Sequence, residues 1–190
     1  LKFAELLRKH GVENSVLECV DTGKLINDCL NEVANDTPMH FQWYGELIDK
    51  VFGKVGATDP SITSLVVKEP IGVVAGVVPW NFPLMMAVWK AAPALAAGCS
   101  IIIKPAEDTP LTALRVANLA SEAGVPDGVF NVVPGYGDVG EALGRHNDVD
   151  AVSFTGSTEV GGYFMKYSGE SNLKSVGLEM GGKSPFIVLE

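Results

Sequence analysis

Ile71-Gly72-Val73-Val74-Ala75-Gly76-Val77-Val78-Pro79-Trp80-Asn81-Phe82-Pro83 is the stretch on which the reading of this chain turns. The apolar run over 71–78 has the length of a buried strand. It ends on a proline, which cannot donate to a sheet ladder, so the chain leaves the sheet there. Pro83 restricts the residue before it to extended geometry. Between the two prolines stand a large aromatic and a carboxamide, held in a stiff turn. In open α/β sheets, ligands bind just beyond the carboxyl ends of the strands. An asparagine held there can donate N–H to an oxygen that becomes negative during a reaction. The same turn can equally be structural, with Trp80 plugging the core, and the stretch alone leaves both readings open.

Downstream, apolar runs and helical patterns alternate. The spacing predicts a helix over 84–97, distorted near Pro93, and a strand over 100–104. A helix capped by Thr109-Pro110 and ended by Gly124 follows, then a strand over 129–133 and a helix over 139–145. Strand 150–154, helix 158–167 and strand 175–179 complete the series. This β-α-β-α order implies a parallel sheet with helices packed on its faces. Upstream the pattern is helical. Phe3, Leu6 and Leu7 share a face, and Val16, Leu17, Val20, Leu25, Ile26 and Leu30 continue the pattern around Gly23. Thr37-Pro38 reads as a helix start. Phe41, Tyr44, Leu47, Ile48, Val51 and Phe52 form a stripe expected to be core. Residues 53–59 break the pattern. A strand over 62–69 then turns at 70–72 into 73–78, a strand pair suited to an arm for subunit contacts.

The 190 residues carry a net charge of −9 and no Lys/Arg cluster, which argues against a nucleic-acid-binding surface. Three cysteines, Cys19, Cys29 and Cys99, make an odd count without metal-ligand spacing. They fit free thiols in a reducing compartment and no metal site. The start has no signal-peptide layout. Residues 85–103 are nearly long enough to span a bilayer, but Lys90, Pro93 and Gly98 interrupt them, and a buried helix followed by a strand fits better. The expected location is cytoplasmic, away from membranes. Both ends read as cut. The chain opens on Leu inside an amphipathic pattern and stops at Glu190, directly after the strand-like 186–189.

Three further segments carry chemistry. Phe154-Thr155-Gly156-Ser157-Thr158-Glu159-Val160-Gly161 reads as a strand, a tight turn and a helix start, where Gly156 allows close backbone approach and free N–H groups favour an anion such as a pyrophosphate. It is neither a G-x-G-x-x-G nor a Walker A loop, and a plain cap by Ser157 or Thr158 explains it as well. Lys104-Pro105-Ala106-Glu107 ends a strand, and a carboxylate there can accept hydrogen bonds from ribose hydroxyls. Glu107 would repel a 2′-phosphate, which predicts NAD over NADP. A solvated Lys-Glu pair is the plainer alternative. Leu178-Glu179-Met180-Gly181-Gly182-Lys183 sets a carboxylate at a strand end beside glycines. Partly desolvated, it suits a general base; the alternative is a carboxylate bonded to nearby N–H groups.

In this order, Pro79-Trp80-Asn81-Phe82-Pro83, Lys104-Pro105-Ala106-Glu107, Phe154-Thr155-Gly156-Ser157 and Leu178-Glu179-Met180-Gly181-Gly182-Lys183 together resemble the NAD(P)-dependent aldehyde dehydrogenase superfamily, over essentially the whole chain. Within it, the stretch from Glu170-Ser171-Asn172-Leu173-Lys174 to Gly182-Lys183-Ser184-Pro185 looks most like the branch oxidising ω-amino aldehydes, with γ-glutamyl-aminobutyraldehyde dehydrogenases the nearest type. The resemblance implies an α/β fold: a Rossmann-like parallel sheet with flanking helices. Residues 1–54 would be its N-terminal helical segment, 55–72 a β-hairpin arm for oligomerisation, and 73–190 the NAD-binding domain, cut before the catalytic domain.

In such enzymes a cysteine thiolate attacks the aldehyde, hydride passes to the nicotinamide, and water releases the acid from a thioester. By the matched motifs, Asn81 would steady the oxyanion and Glu179 would activate the water. Lys104 and Glu107 would bind the adenosine ribose, and Gly156 and Ser157 would face the pyrophosphate. Val78, Pro79 and Trp80 would line the cofactor cleft, Gly137 would let the adenine lie close, and Gly181 would sit near the nicotinamide. The family's nucleophile falls beyond the Glu179 motif, so none of the three cysteines here is expected to serve and the chain alone is expected to be inactive. Dimers or tetramers acting on a small aldehyde are implied. A stand-alone dinucleotide-binding module and a structural remnant are the two other readings, and Asn81 and Glu179 together favour the enzyme.

Overall fold

Helices form the first quarter of the chain. In the computed structural model, which describes residues 1–189, α1 spans Lys2–Lys9 and α2 Gly11–Thr22. Phe3, Ala4 and Leu7 put the apolar face of α1 into the core, as its spacing predicts. Helix α2 is turned the other way. Its buried residues are Gly11, Asn14, Ser15 and Glu18, whereas Val12, Val16 and Val20 face outward. The valine spacing marks a real helix but not its inner face. That face is held by hydrogen bonds: Ser15 Oγ donates to the Gly11 and Cys29 carbonyls, and Glu18 accepts from two neighbouring helices.

Helix α3, Ile26–Cys29, runs on through a π-helical turn over Leu30–Asp36 into α4, Thr37–Leu47, and a 3₁₀ turn over Ile48–Lys50. Helix α4 does begin at Thr37-Pro38, but as the continuation of a helical run and not after a break, and Thr37 is not its cap. Thr37 is itself helical, and its hydroxyl donates back to the Val33 carbonyl rather than capping a following turn. Pro38 withdraws a backbone donor, and the wider turn just before it takes up the mismatch. The aromatic stripe on α4 is core only at its start. Phe41 packs on Phe3 with ring centroids 4.5 Å apart, but Ile48, Val51 and Phe52 are exposed.

Strands β1, Lys54–Gly56, and β2, Ser64–Val66, form an antiparallel pair of their own, in the register Lys54↔Val66. The strand expected over 62–69 is thus shorter. Its partner lies in the segment read as a break, not in the strand after Pro70.

From Val73 the expected alternation holds: β3 (Val73–Val77), α5 (Pro83–Ala96), β4 (Ser100–Lys104), α6 (Leu111–Ala123), β5 (Phe130–Val132), α7 (Gly137–Arg145), β6 (Ala151–Gly156), α8 (Thr158–Gly169) and β7 (Ser175–Met180). The strands form one parallel sheet in the order β5-β4-β3-β6-β7. The chain winds outward from β3 to β5, then crosses to the other side of β3 for β6 and β7. The order reverses at the carboxyl end of β3, the place where open α/β sheets bind ligands. One core fills the space between β4 and helices α1, α4, α5 and α6. A second lies under α8, where Val77, Val152, Phe154 and Phe164 pack together.

Helix α6 ends on Gly124, at φ 88°, a left-handed position that glycine adopts without steric cost. Its start differs from expectation. Neither Thr109 nor Pro110 caps it; Asp21 of α2 accepts the Leu111 N–H at 3.0 Å, and Thr109 Oγ1 is buried without a partner among the described residues. The cap comes from a residue ninety positions away, where no local motif announces it.

Candidate active site

The carboxyl ends of β3, β4, β6 and β7 open onto two clefts that share a wall. The larger, about 730 Å³, is lined by Asn81, Met86, Trp89, Lys90, Ser153, Glu179 and Gly181; the smaller, about 490 Å³, by Val78, Lys104, Glu107, Gly137, Val160 and Tyr163. Pro79, Trp80, Thr155, Gly156 and Ser157 belong to both. Every residue singled out in the four motifs therefore lies on one continuous surface. Trp80 is 63% exposed, so it is a wall of the clefts and not a core plug.

Strand β3 ends with Val78 N–H donating to the Lys104 carbonyl at 3.1 Å, and Pro79 then turns the chain out of the sheet. Pro83 opens α5, and the Asn81 side chain between them is exposed on the cleft. Lys104 is not a solvated partner of Glu107. It is buried, donates to the Pro105 carbonyl at 2.9 Å, and stands 3.8 Å from the Glu107 carboxylate. Burial pulls its ammonium below the ordinary lysine value, and Glu107 opposes that shift.

Ser157 caps α8, its hydroxyl oxygen accepting from Val160 N–H at 3.3 Å, so the capping reading is correct. It does not displace the other one. The first N–H groups of α8 have no carbonyl within the helix to bond, and they emerge where the two clefts join. At Gly156 the missing side chain serves packing: a Cβ would come within 2.6 Å of the Phe154 ring. At Gly137 a Cβ would meet nothing within 4 Å, and the position opens on the smaller cleft. A buried cation beside a carboxylate, an unencumbered glycine and free helix-start N–H groups between two clefts fit a dinucleotide.

Glu179 departs from expectation in one respect. It sits on β7, an edge strand, and its side chain is exposed, so the desolvation proposed for it is absent in this chain.

Lys90 is the residue that the motifs missed. It is buried on α5, where its ammonium donates to Thr155 Oγ1 at 2.8 Å and Ser153 Oγ at 3.2 Å. Burial brings its pKa down to about 8, against the opposing charge of Glu179. In the sequence it stood out only as a lone cation interrupting an apolar helix. None of the cysteines lines either cleft. Cys29 and Cys99 are buried, burial pushes the Cys29 thiol up to about 11, and the Cys19 thiol donates to the Lys24 carbonyl. Among the described residues no cluster of His, Cys, Asp and Glu could hold a metal ion, and no helix is long and apolar enough to cross a membrane.

With this geometry in place, comparison with known proteins is direct. A profile of the aldehyde dehydrogenase family matches residues 1–190, and the chain belongs to that family. It is 55% identical over 190 residues to the aminoacetaldehyde dehydrogenase of Pseudomonas aeruginosa, covering 100% of this chain and 38% of that protein. Its fold is similar to the crystal structure of the γ-glutamyl-γ-aminobutyraldehyde dehydrogenase of Burkholderia cenocepacia J2315, at TM-score 0.95 and 54% identity over 97% of this chain and 37% of the other. It is equally similar, at TM-score 0.95, 54% identity and the same coverage, to a mutant of the P. syringae indole-3-acetaldehyde dehydrogenase AldA solved with NAD+ and IAA. The chain thus spans less than two fifths of the length of these relatives and corresponds to an N-terminal portion of them.

Proposed function

We propose that this chain is the cofactor-binding portion of an enzyme that oxidises a small aldehyde, an ω-amino aldehyde above all, to its carboxylic acid with NAD. The observation that carries the reading is the meeting of Asn81 and Glu179 on one cleft, at the reversal point of the sheet and beside a surface that suits a dinucleotide. A module that only binds a dinucleotide has no use for an amide donor and a carboxylate at that place.

Lys104 and Glu107 would hold the adenosine ribose, with Gly137 giving the adenine room. Ser157, Gly156 and the start of α8 would hold the pyrophosphate. Val78, Pro79 and Trp80 would form the cleft wall and Gly181 would border the nicotinamide. Bound there, NAD+ supplies a hydride acceptor. Asn81 donates N–H to the oxygen of the aldehyde as negative charge develops on it. Glu179 takes a proton from the water that releases the acid. Lys90, buried with its ammonium donating to two hydroxyls, sets a positive charge within electrostatic reach of that carboxylate. The thiolate would come from polypeptide outside these residues, because none of the three cysteines lines either cleft. That polypeptide would also supply the cover that Glu179 lacks.

The test is steady-state turnover of amino aldehydes with NAD by the protein as expressed from its gene. Asn81→Ala should lower kcat roughly 10²- to 10³-fold with NAD affinity little changed. An Asn81→Ala protein with intact kcat would overturn the assignment.

A further inference from the structure

Glu18 is a buried carboxylate that lines neither cleft, and nothing in the proposed chemistry uses it. Its side chain is fully enclosed between three helices. Oε2 accepts the Leu84 N–H at 3.2 Å, in the first turn of α5, and lies 3.4 Å from the Thr112 hydroxyl, in the first turn of α6. Among the described residues Oε1 has no hydrogen-bond partner, and neither has Asn14 Oδ1 one helical turn earlier on the same buried face. A helix that hides such a residue and exposes three valines is arranged for something other than apolar packing.

Leu84 is three residues beyond Asn81. Pro83 has no N–H, and the first intrahelical bond of α5 runs from Met86 N–H to the Phe82 carbonyl. The Leu84 N–H is therefore an orphan donor, and Leu84 is itself fully buried, out of reach of water. The same part of the chain grips the turn a second time. The Lys24 ammonium sits 3.8 Å from the centroid of the Phe82 ring and is itself paired with Glu32. Asn81 makes no side-chain hydrogen bond among the described residues, so only its neighbours set where its amide points. On the strand side the anchor is the Val78–Lys104 bond. On the helix side it is Glu18, supported by Lys24.

We infer that Glu18 is a positioning residue for Asn81: by accepting the Leu84 N–H it fixes the angle at which α5 leaves the turn, and with it the place of the Asn81 amide. This rests on the role given to Asn81 above. Without the carboxylate a buried N–H is left unpaired, the first turn of α5 shifts to find a partner, and the amide moves with it. Donation to a developing negative charge is sensitive to displacements of about 1 Å.

The experiment compares Glu18→Ala, Glu18→Gln and Lys24→Met in the protein as expressed, each with and without Asn81→Ala. Leu7→Ala, a core truncation on α1, is the control for lost stability alone. Glu18→Ala should lower kcat roughly 10- to 100-fold while the NAD dissociation constant stays within about twofold of wild type. Glu18→Gln keeps an acceptor for Leu84 and should restore kcat to within about threefold. On the Asn81→Ala background Glu18→Ala should cost no further kcat, because its effect passes through that amide. Lys24→Met should act in the same non-additive way, more weakly, and is the variant to read if Glu18→Ala does not fold. Loss of stability without loss of kcat, as in Leu7→Ala, would overturn the inference. So would a loss of kcat that adds in full to that of Asn81→Ala. If the wild-type protein oxidises no aldehyde, the assigned chemistry fails. The clamp is then decided by the NMR shifts of the Asn81 side-chain amide, which move in Glu18→Ala and not in Glu18→Gln if it is real.

Discussion

Single residues here take their chemistry from what buries them. Lys90 is the clearest case. Its ammonium is desolvated in the fold and solvated in the unfolded chain, so its folded pKa is about 8 against an ordinary 10.5. Between those values the unfolded chain binds more protons, so stability rises with pH; below about pH 8 the full cost of burying the charge is present, on the order of 3 kcal/mol. Lys90→Met should therefore stabilise the fold at pH 7, by somewhat less than that because Ser153 and Thr155 lose a donor. The gain should fade as the pH rises past about 10.5, where wild-type Lys90 becomes neutral in both states. Urea midpoints at the two pH values decide it, and an equal gain at both would mean that Lys90 is not the titrating group. Glu107 carries the second prediction at this scale. Removing its charge in Glu107→Gln should weaken NAD and strengthen NADP, narrowing the preference roughly tenfold. Calorimetric titration with both cofactors checks it, and an unchanged ratio would remove Glu107 from the ribose site. Asn81, Glu107 and Glu179 were legible as candidates because each lies at or just beyond the end of a strand. Lys90 and Glu18 were not, because one sits inside an apolar helix and the other on the polar side of a helix whose valines point outward.

At the scale of elements, the strands and helices after Val73 follow their apolar spacing closely, and the errors gather at the caps. A cap is a single hydrogen bond, and the partner can come from anywhere in the fold. Helix α6 takes its cap from Asp21, and the carboxylate beneath α5 and α6 comes from Glu18 on the same helix α2. Asp21→Ala should cost about 1 kcal/mol of stability, read as a shift in the urea midpoint, while Thr109→Val should cost little because Thr109 makes no capping bond. A larger loss at Thr109 than at Asp21 would reverse the assignment. The continuous helix through Thr37-Pro38 teaches the same point. Those two residues are a good helix start in isolation, but the widened turn before them lets the preceding helix run on.

For the molecule as a whole, one group of exposed apolar side chains lies on a single small element, the β1–β2 arm. Val55, Leu65, Val66 and Val67, on and beside the β1–β2 arm, are each more than half exposed, and the arm pairs with no strand of the main sheet. A two-stranded ribbon with apolar residues outward is marginal on its own and gains stability from a partner. We propose that the arm joins copies of the protein. Leu65→Glu should then lower the assembly state measured by light scattering, with the sheet and its cofactor cleft intact by circular dichroism and NAD titration. An unchanged assembly would leave the arm without that role.

The sequence by itself determined the parallel α/β architecture, because apolar runs of strand length alternating with helical patterns have few other ways to bury their faces. It also determined the candidate groups at the strand ends, because prolines and glycines punctuate the chain there. Tertiary structure decided which side of α2 faces inward, where the arm finds its partner strand, what caps α6, and that a lysine of the apolar helix α5 enters the cleft. It also decided that motifs scattered from Val78 to Gly181 share one surface. Each of these rests on contacts between residues far apart in the chain, and a local pattern carries no record of which distant donor, acceptor or charge will meet it.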